Sequence, residues 1–238
     1  MNIVRELAKM IDHSILNPTH TDEDLVKQCE VALAYDVASV CVKPYAVKTA
    51  FQRLMDSSVK VGCVIGFPHG NSSTAVKVFE AEKACRDGAT EIDMVINIGK
   101  ALGGDWDYVE NEIRQVTDMC HLNNAIVKVI FETDFVTKTE DKIHLCEICT
   151  QAGADFVKTS TGYGFVKQAN GDFNYKGATT ADVELMRKHS GPAVQVKCAG
   201  GVRTLDDLLK MREAGASRSG ATATEAILEE AKKRFGEK

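Results

Sequence analysis

Ala154-Asp155-Phe156-Val157-Lys158-Thr159-Ser160-Thr161-Gly162 is the stretch of sequence that decides the fold. It is typical of a short β-strand that carries a lysine in its apolar part and ends in small hydroxyl residues and a glycine. Two similar segments flank it, residues 126–132 and 194–201, and they place Lys128 and Lys197 in apolar strands. Because a buried lysine must be desolvated or paired, three such strands in succession indicate a functional site rather than packing.

Strand-like runs alternate with amphipathic helical patterns along the whole chain. The predicted strands cover residues 10–13, 38–42, 61–68, 91–96, 126–132, 154–162, 194–201 and 217–220, and a helical pattern follows each of them. This alternation predicts a parallel sheet, and eight units of about 30 residues favour a closed (β/α)₈ barrel. The alternative is an open doubly wound sheet, but no Gly-x-Gly-x-x-Gly follows the first strand. We therefore predict a single (β/α)₈ barrel domain over residues 1–238.

Turn and cap signals refine this prediction. Thr137-Lys138-Thr139-Glu140 matches a capping box and predicts that a helix begins there. Asn170-Gly171-Asp172 is a turn signal within a longer loop after the sixth strand, and we expect that loop to extend the rim over the site.

Composition restricts the classes of function. The chain has 238 residues, 44% of them hydrophobic, and a formal net charge of -5. This balance argues against a nucleic-acid or membrane-surface role. Early charges argue against a signal peptide, and eight cysteines are ordinary for a reducing compartment. We expect a cytoplasmic protein that binds neither nucleic acid nor membrane.

The three strand lysines predict carbonyl chemistry. In this fold the working residues lie at the C-terminal ends of the strands, so Lys128, Lys158 and Lys197 belong to neighbouring strands about 4.8 Å apart. Burial and like charges both disfavour a protonated lysine, and Lys158 lies in the middle. A neutral Lys158 amine is a nucleophile towards carbonyl groups. The alternative is that these lysines face outward or form ion pairs with acidic neighbours.

Two carboxylates lie in predicted strands as well. Asp93 lies in the fourth strand and Asp12 at the end of the first. Carboxylates in apolar strands need partners, and converging lysines are suitable ones. They serve either as charge compensation or as proton shuttles during carbonyl chemistry.

Glycines cluster where a phosphate would bind. Gly162 follows the sixth strand, Gly200 and Gly201 the seventh, and Gly220 the eighth, with Thr222 just beyond. Their backbone N–H groups and the helix N-termini predict an anion site.

Other candidate sites are weaker. Cys41 ends the second strand and either faces the site or packs in the core. The Cys146-Glu147-Ile148-Cys149 motif lies in an apolar helical face and has no second pair, and the histidines lack ligand spacing, so we expect no metal.

With these residues in view, the whole chain resembles the deoxyribose-phosphate aldolase family of class I aldolases. The matching motifs are Ile11-Asp12-His13-Ser14-Ile15-Leu16, Ser39-Val40-Cys41-Val42, Val64-Ile65-Gly66-Phe67-Pro68-His69-Gly70, Glu91-Ile92-Asp93-Met94-Val95, Val127-Lys128-Val129-Ile130-Phe131-Glu132-Thr133, Phe156-Val157-Lys158-Thr159-Ser160-Thr161-Gly162 and Val196-Lys197-Cys198-Ala199-Gly200-Gly201-Val202-Arg203.

The resemblance implies roles for individual residues. It implies a Schiff base on Lys158 and proton transfer by Lys197 and Asp93. From their positions at the strand ends and in the loops, we also place Asp12 in the catalytic set and expect substrate or phosphate contacts from Cys41, Lys128, Thr161, Gly162, Gly200, Gly201, Gly220 and Thr222. The implied reaction is reversible cleavage of 2-deoxyribose 5-phosphate to glyceraldehyde 3-phosphate and acetaldehyde, without cofactor or metal, by a homodimer or homotetramer.

The chain departs from the family pattern at two places. The eighth-strand loop reads Gly220-Ala221-Thr222-Ala223, whereas the family usually has two serines at its end. The sequence also ends at Gly236-Glu237-Lys238, without the tyrosine-ended tail of some relatives. The alternatives are another Schiff-base phosphosugar aldolase and a non-catalytic barrel that only binds phosphosugars.

Overall fold

The computed structural model describes residues 2–236, in which eight parallel strands close into a barrel. Within these residues the strands are β1 Ile11–Ile15, β2 Ser39–Val42, β3 Lys60–Ile65, β4 Glu91–Val95, β5 Ile126–Ile130, β6 Phe156–Lys158, β7 Val166–Lys167, β8 Phe173–Asn174, β9 Gln195–Ala199 and β10 Arg218–Ala221. The order around the barrel is β1-β10-β9-β6-β5-β4-β3-β2. The predicted (β/α)₈ architecture is confirmed. The end of the chain at Glu237-Lys238 lies outside the described residues.

Helices surround the barrel. They are α1 Ile3–Ala8, α2 Asp22–Ala34, α3 Val47–Leu54, α4 Thr74–Arg86, α5 Ile98–Leu102, α6 Trp106–Leu122, α7 Thr139–Ala152, α8 Thr180–His189, α9 Leu205–Glu213 and α10 Thr224–Phe235, with a 3₁₀ turn at Pro44–Ala46. The apolar core lies between the strands and these helices, as their continuous apolar runs require. None of the helices within residues 2–236 is long and apolar enough to cross a membrane.

Local side-chain chemistry sets several helix starts. Thr21 and Thr204 form capping boxes with Asp24 and Asp207 at the starts of α2 and α9. The capping box predicted at Thr137 is wrong, because α7 begins at Thr139 and its N-cap residue, Lys138, makes no side-chain cap. A T-x-x-E pattern therefore indicates a helix nearby without identifying its first residue.

Three features were not predicted from the sequence. The short helix α1 precedes the barrel, the short helix α5 follows β4, and the antiparallel hairpin β7–β8 lies in the loop after β6. The hairpin contains the predicted turn at Asn170-Gly171-Asp172, where Asn170 Oδ1 accepts a hydrogen bond from Asp172 N. Tyr175 follows the hairpin directly and lines the cavity described below.

The register of the strands places the polar residues inside the barrel. Lys158 lies level with Lys197 on β9 and with Ile130 on β5. Lys128 lies level with Asp93 and Phe156, which is one layer deeper than Lys158. Since alternate residues of a strand face the same side, this interior holds charged side chains where barrels usually hold branched apolar ones.

Candidate active site

Three lysines converge on one carboxylate in the barrel interior. Lys158 Nζ and Lys197 Nζ lie 2.7 and 2.6 Å from Asp93 Oδ2, and Lys128 Nζ lies 3.1 Å from Asp93 Oδ1. Asp93, Lys128 and Lys197 are completely buried, whereas Lys158 keeps 2% of its surface exposed. The three ammonium groups predicted to converge are therefore brought together, with Asp93 between them.

A deeper tier of ion pairs supports this arrangement. Lys128 Nζ donates to Asp12 Oδ2 at 2.9 Å and to Glu91 Oε2 at 2.5 Å. Arg218 donates to Asp12 Oδ1 at 2.7 Å and to Glu91 Oε2 at 2.6 Å. Asp12 also pairs with Lys197 at 2.5 Å. With Lys158 included, four basic side chains face three carboxylates, so the cluster is neutral when one basic group is uncharged.

The surroundings of Lys128, Lys158 and Lys197 determine which of these three lysines loses its charge most readily. Burial lowers the pKa of Lys158 and the charge of Lys197 lowers it further, against the opposing attraction of Asp93. Burial also opposes the charged forms of Lys128 and Lys197, but Asp12 and Asp93 raise the pKa of each of these lysines above its usual value. Of the three lysines, Lys158 therefore has the proton that is lost most readily.

Asp93 remains ionised. Burial alone would raise its pKa, but the ammonium groups of Lys128, Lys158 and Lys197 outweigh burial and hold the pKa below its usual value. A carboxylate that stays ionised stabilises neighbouring cations, but its lowered pKa makes it a weak base. The proton nearest to it is that of the Lys197 ammonium group, which donates to Asp93 Oδ2 at 2.6 Å.

A cavity of about 440 Å³ opens above Lys158 at the C-terminal ends of the strands. Most of the sequence-predicted contact residues line it, namely Thr161, Gly162, Gly200, Gly201, Gly220 and Thr222. Asp12, Asp93 and Lys197 lie beneath its floor. Lys158 is thus the basic group that connects the buried ion pairs with the open cavity.

Two predicted contact residues do not line this cavity. Lys128 lies a layer deeper and is held by three carboxylates, so the structure does not bring it to the substrate space. Cys41 packs with Leu16 and Val64, and its Sγ lies 3.9 Å from Asp93 Oδ2. Burial raises the pKa of the Cys41 thiol, which therefore stays protonated.

The glycine-rich end of the cavity, at Gly200, Gly201 and Gly220, has the features of an anion site. Gly200 and Gly201 adopt φ angles of 82° and 86°, which favour glycine. A Cβ on Gly220 would lie 3.1 Å from Ala199 Cβ and 3.6 Å from Lys197 Cε. The N-cap residue of α10 is Ala223, which has no side-chain oxygen to accept from the first backbone N–H groups of the helix. These N–H groups, which follow Thr222 in the chain, are therefore not capped by the Ala223 side chain.

Several lining residues were missed by sequence reasoning. Ser14, Asn17, His20, Gln28, Tyr163, Tyr175 and Arg203 also line the cavity. Most lie in loops or on a helix, where no strand pattern marks them. The half-buried Arg218 was missed as well, although an arginine in a short strand beside small residues was a usable signal.

Glu132 holds the loop after β6. It lies two residues beyond the end of β5 with a φ of 57°, and the Thr161 hydroxyl donates a hydrogen bond to Glu132 Oε2. Burial raises the pKa of Glu132 to about 7. Because Thr161 Oγ1 also accepts from Tyr163 N at 2.9 Å, the contact orients the part of the loop that lines the cavity.

Within residues 2–236, no group of three or more His, Cys, Asp or Glu side chains is arranged to hold a metal ion. The carboxylates Asp12, Glu91 and Asp93 have ammonium and guanidinium partners instead.

The chain is similar to known proteins over most of its length. The family model described as DeoC/LacD family aldolase matches residues 7–229. The deoxyribose-phosphate aldolase of Rhodopirellula baltica is 50% identical over 231 residues, which is 97% of this chain and 91% of that protein. That of Thermococcus gammatolerans is 50% identical over 229 residues, 95% of this chain and 97% of that protein.

Solved structures agree with the sequence relatives. The tetrameric deoxyribose phosphate aldolase of Aeropyrum pernix superimposes with a TM-score of 0.85 at 29% identity, covering 96% of this chain and 92% of that one. An aldolase named QR15 gives a TM-score of 0.86 at 36% identity, covering 96% of both chains. The chain therefore belongs to the DeoC/LacD family of aldolases.

Proposed function

We propose that this aldolase reversibly cleaves 2-deoxyribose 5-phosphate to glyceraldehyde 3-phosphate and acetaldehyde through a Schiff base on Lys158. The observation that carries the proposal is the position of Lys158, with a lowered pKa, between the buried ion pairs and the cavity. The names of the relatives support the choice of substrate. The whole chain, residues 1–238, acts as one catalytic barrel.

The reaction begins with the neutral amine of Lys158. It attacks the C1 aldehyde carbon, and the carbinolamine takes a proton from the Lys197 ammonium group through bound water and loses water to give an iminium ion. The iminium nitrogen now carries a positive charge, and Asp93 Oδ2, which lies 2.7 Å from Nζ, stabilises it.

The carbon–carbon bond then breaks. The C3 hydroxyl returns a proton to the Lys197–Asp93 pair through a bound water, the C2–C3 electron pair moves into the iminium, and glyceraldehyde 3-phosphate leaves. The remaining enamine takes a proton at C2 from the same pair by the same route. Hydrolysis of the resulting iminium releases acetaldehyde and neutral Lys158 and gives one proton back to the pair. No cofactor is needed in this series of reaction steps, because the iminium formed on Lys158 accepts the electron pair.

The glycine-rich end of the cavity binds the phosphate. Backbone N–H groups at Gly200, Gly201 and the start of α10 are the donors, and Thr222 adds a hydroxyl.

We further propose a homo-oligomer, as in the tetramer of Aeropyrum pernix. Val76 and Phe79, 47% and 63% exposed on one face of α4, suit such an interface. Eight free thiols suit a reducing, cytoplasmic setting.

Trapping with acetaldehyde and borohydride tests the reaction. One ethyl group is expected on the peptide that contains Lys158, and none in the Lys158→Arg protein. The exposed Lys188 provides a matched control, because Lys188→Arg should leave the trapping unchanged. Trapping without cleavage of deoxyribose 5-phosphate would favour another phosphosugar aldolase, and no trapping would favour a binding barrel.

A further inference from the structure

A chain of hydrogen bonds that runs from α10 through β1 to α2 reaches the cavity. His13 Nδ1 lies 2.7 Å from Thr224 Oγ1 at the start of α10, and His13 Nε2 lies 2.7 Å from Gln28 Oε1 on α2. His13 and Thr224 are buried, whereas Gln28 is half-buried and lines the cavity with Gly220 and Thr222. Residues from three separate elements thus meet beside the glycine-rich end.

The donors and acceptors in this chain follow from the chemistry of imidazole. A neutral imidazole has one N–H donor and one acceptor nitrogen. Burial lowers the pKa of His13, which keeps it neutral. Because Gln28 Oε1 only accepts, His13 Nε2 carries the proton, and Nδ1 then accepts from the Thr224 hydroxyl.

With the donors and acceptors arranged in this way, Gln28 Oε1 is bonded to His13, and the amide nitrogen of Gln28 is the polar atom left without a partner in the chain of hydrogen bonds. Within residues 2–236, no protein group accepts a hydrogen bond from Gln28 Nε2, and His20 Nδ1, on another residue that lines the same cavity, is buried without a protein partner. An –NH₂ group held in this way donates to an anion, whereas the opposite orientation would present an oxygen that repels it.

We propose that Gln28 is a phosphate-binding residue of this chain and that His13 and Thr224 position its amide. The proposal rests on the proposed function, since the phosphate is that of deoxyribose 5-phosphate. It also accounts for the eighth-strand loop, where Ala223 offers no hydroxyl. The Gln28 amide supplies a side-chain donor at this end from a different element.

Steady-state kinetics with deoxyribose 5-phosphate and unphosphorylated deoxyribose test the proposal. Gln28→Met keeps the size of the side chain but removes the amide. A lost hydrogen bond to a charged acceptor corresponds to a factor of about ten to a hundred, and water replaces part of it. We expect KM for the phosphorylated substrate to rise about tenfold, with kcat and the unphosphorylated reaction unchanged. Gln28→Glu should raise KM further, because a carboxylate repels phosphate.

Controls separate this proposal from the proposed function. Gln115→Met, at an exposed glutamine of α6, should change nothing. An unchanged KM in Gln28→Met, or an equal change for both substrates, would overturn the role of Gln28. If the wild-type protein is not labelled on Lys158 by acetaldehyde and borohydride, the aldolase mechanism fails instead.

The positioning role has its own readout. The ¹⁵N spectrum of histidine-labelled protein should show His13 as the Nε2–H tautomer, and Thr224→Val should weaken that preference and raise KM less than Gln28→Met does. An Nδ1–H tautomer in the wild-type protein would contradict the direction of the chain.

Discussion

Replacing Lys197 with methionine should abolish most of the activity near neutral pH by restoring the proton of Lys158. The two Nζ atoms lie 2.7 and 2.6 Å from the same Asp93 oxygen, so they are separated by less than the sum of these distances. Two unit charges about 4 Å apart repel each other by about 4 kcal/mol at an effective dielectric constant of about 20. Lys197 also competes with Lys158 for that oxygen, and its removal strengthens the remaining pair.

This energy predicts the size of the effect. Each 1.36 kcal/mol corresponds to a factor of about ten, so the neutral fraction of Lys158 should fall by about a hundredfold to a thousandfold. The assay is kcat/KM for deoxyribose 5-phosphate from about pH 6 to about pH 10, where an essential base defines the ascending limb. We expect the limb of Lys197→Met to move to higher pH, with activity partly recovered there.

A uniform loss at every pH, with the ascending limb unmoved, would refute this reasoning and leave Lys197 as a proton donor or a packing residue. Lys128→Met is the matched control. Lys128 lies one layer deeper, against Asp12, Glu91 and Asp93, so its loss should mainly destabilise the fold. Removing one member of a buried ion pair costs about 3–5 kcal/mol, which urea unfolding measures.

Three further predictions concern other parts of the site. Asp93→Asn should slow exchange of the acetaldehyde methyl protons in deuterated water, followed by NMR, because the carboxylate that pairs with Lys197 in the proton relay is gone; unaltered exchange would remove Asp93 from the relay. Ala223→Ser should add an N-cap to α10, stabilise the protein by about 1 kcal/mol in urea unfolding, and lower KM for deoxyribose 5-phosphate several-fold but not for deoxyribose; an equal response of both substrates would place the phosphate elsewhere. Glu132, whose pKa burial raises to about 7, keeps its proton in the folded protein at pH values where the unfolded chain has lost it, so stability falls as pH rises towards 7. Glu132→Gln should remove up to about 3 kcal/mol of that fall between about pH 5 and about pH 8, and an equal slope in both proteins would contradict the assignment.

Local patterns in the sequence determined the architecture. The alternation of apolar strands with amphipathic helices predicts eight units, and α4 begins and ends where its pattern does, at Thr74–Arg86. Lysines inside apolar strands marked the site, because their cost in a core is a property of the residue type. These signals act within a few residues, so the sequence shows them directly.

Other features depended on which distant residues meet. The sequence predicted that Lys128 and Lys197 would flank Lys158 alike, but strand register places only Lys197 level with it. Arg218 contacts Asp12 across 206 positions, and Thr224 contacts His13 across 211. The pKa of the buried Lys158 and the orientation of the Gln28 side-chain amide both depend on such distant neighbours. Only closure of the barrel brings those neighbours within hydrogen-bonding distance, because electrostatic and hydrogen-bond energies depend on spatial rather than sequence separation.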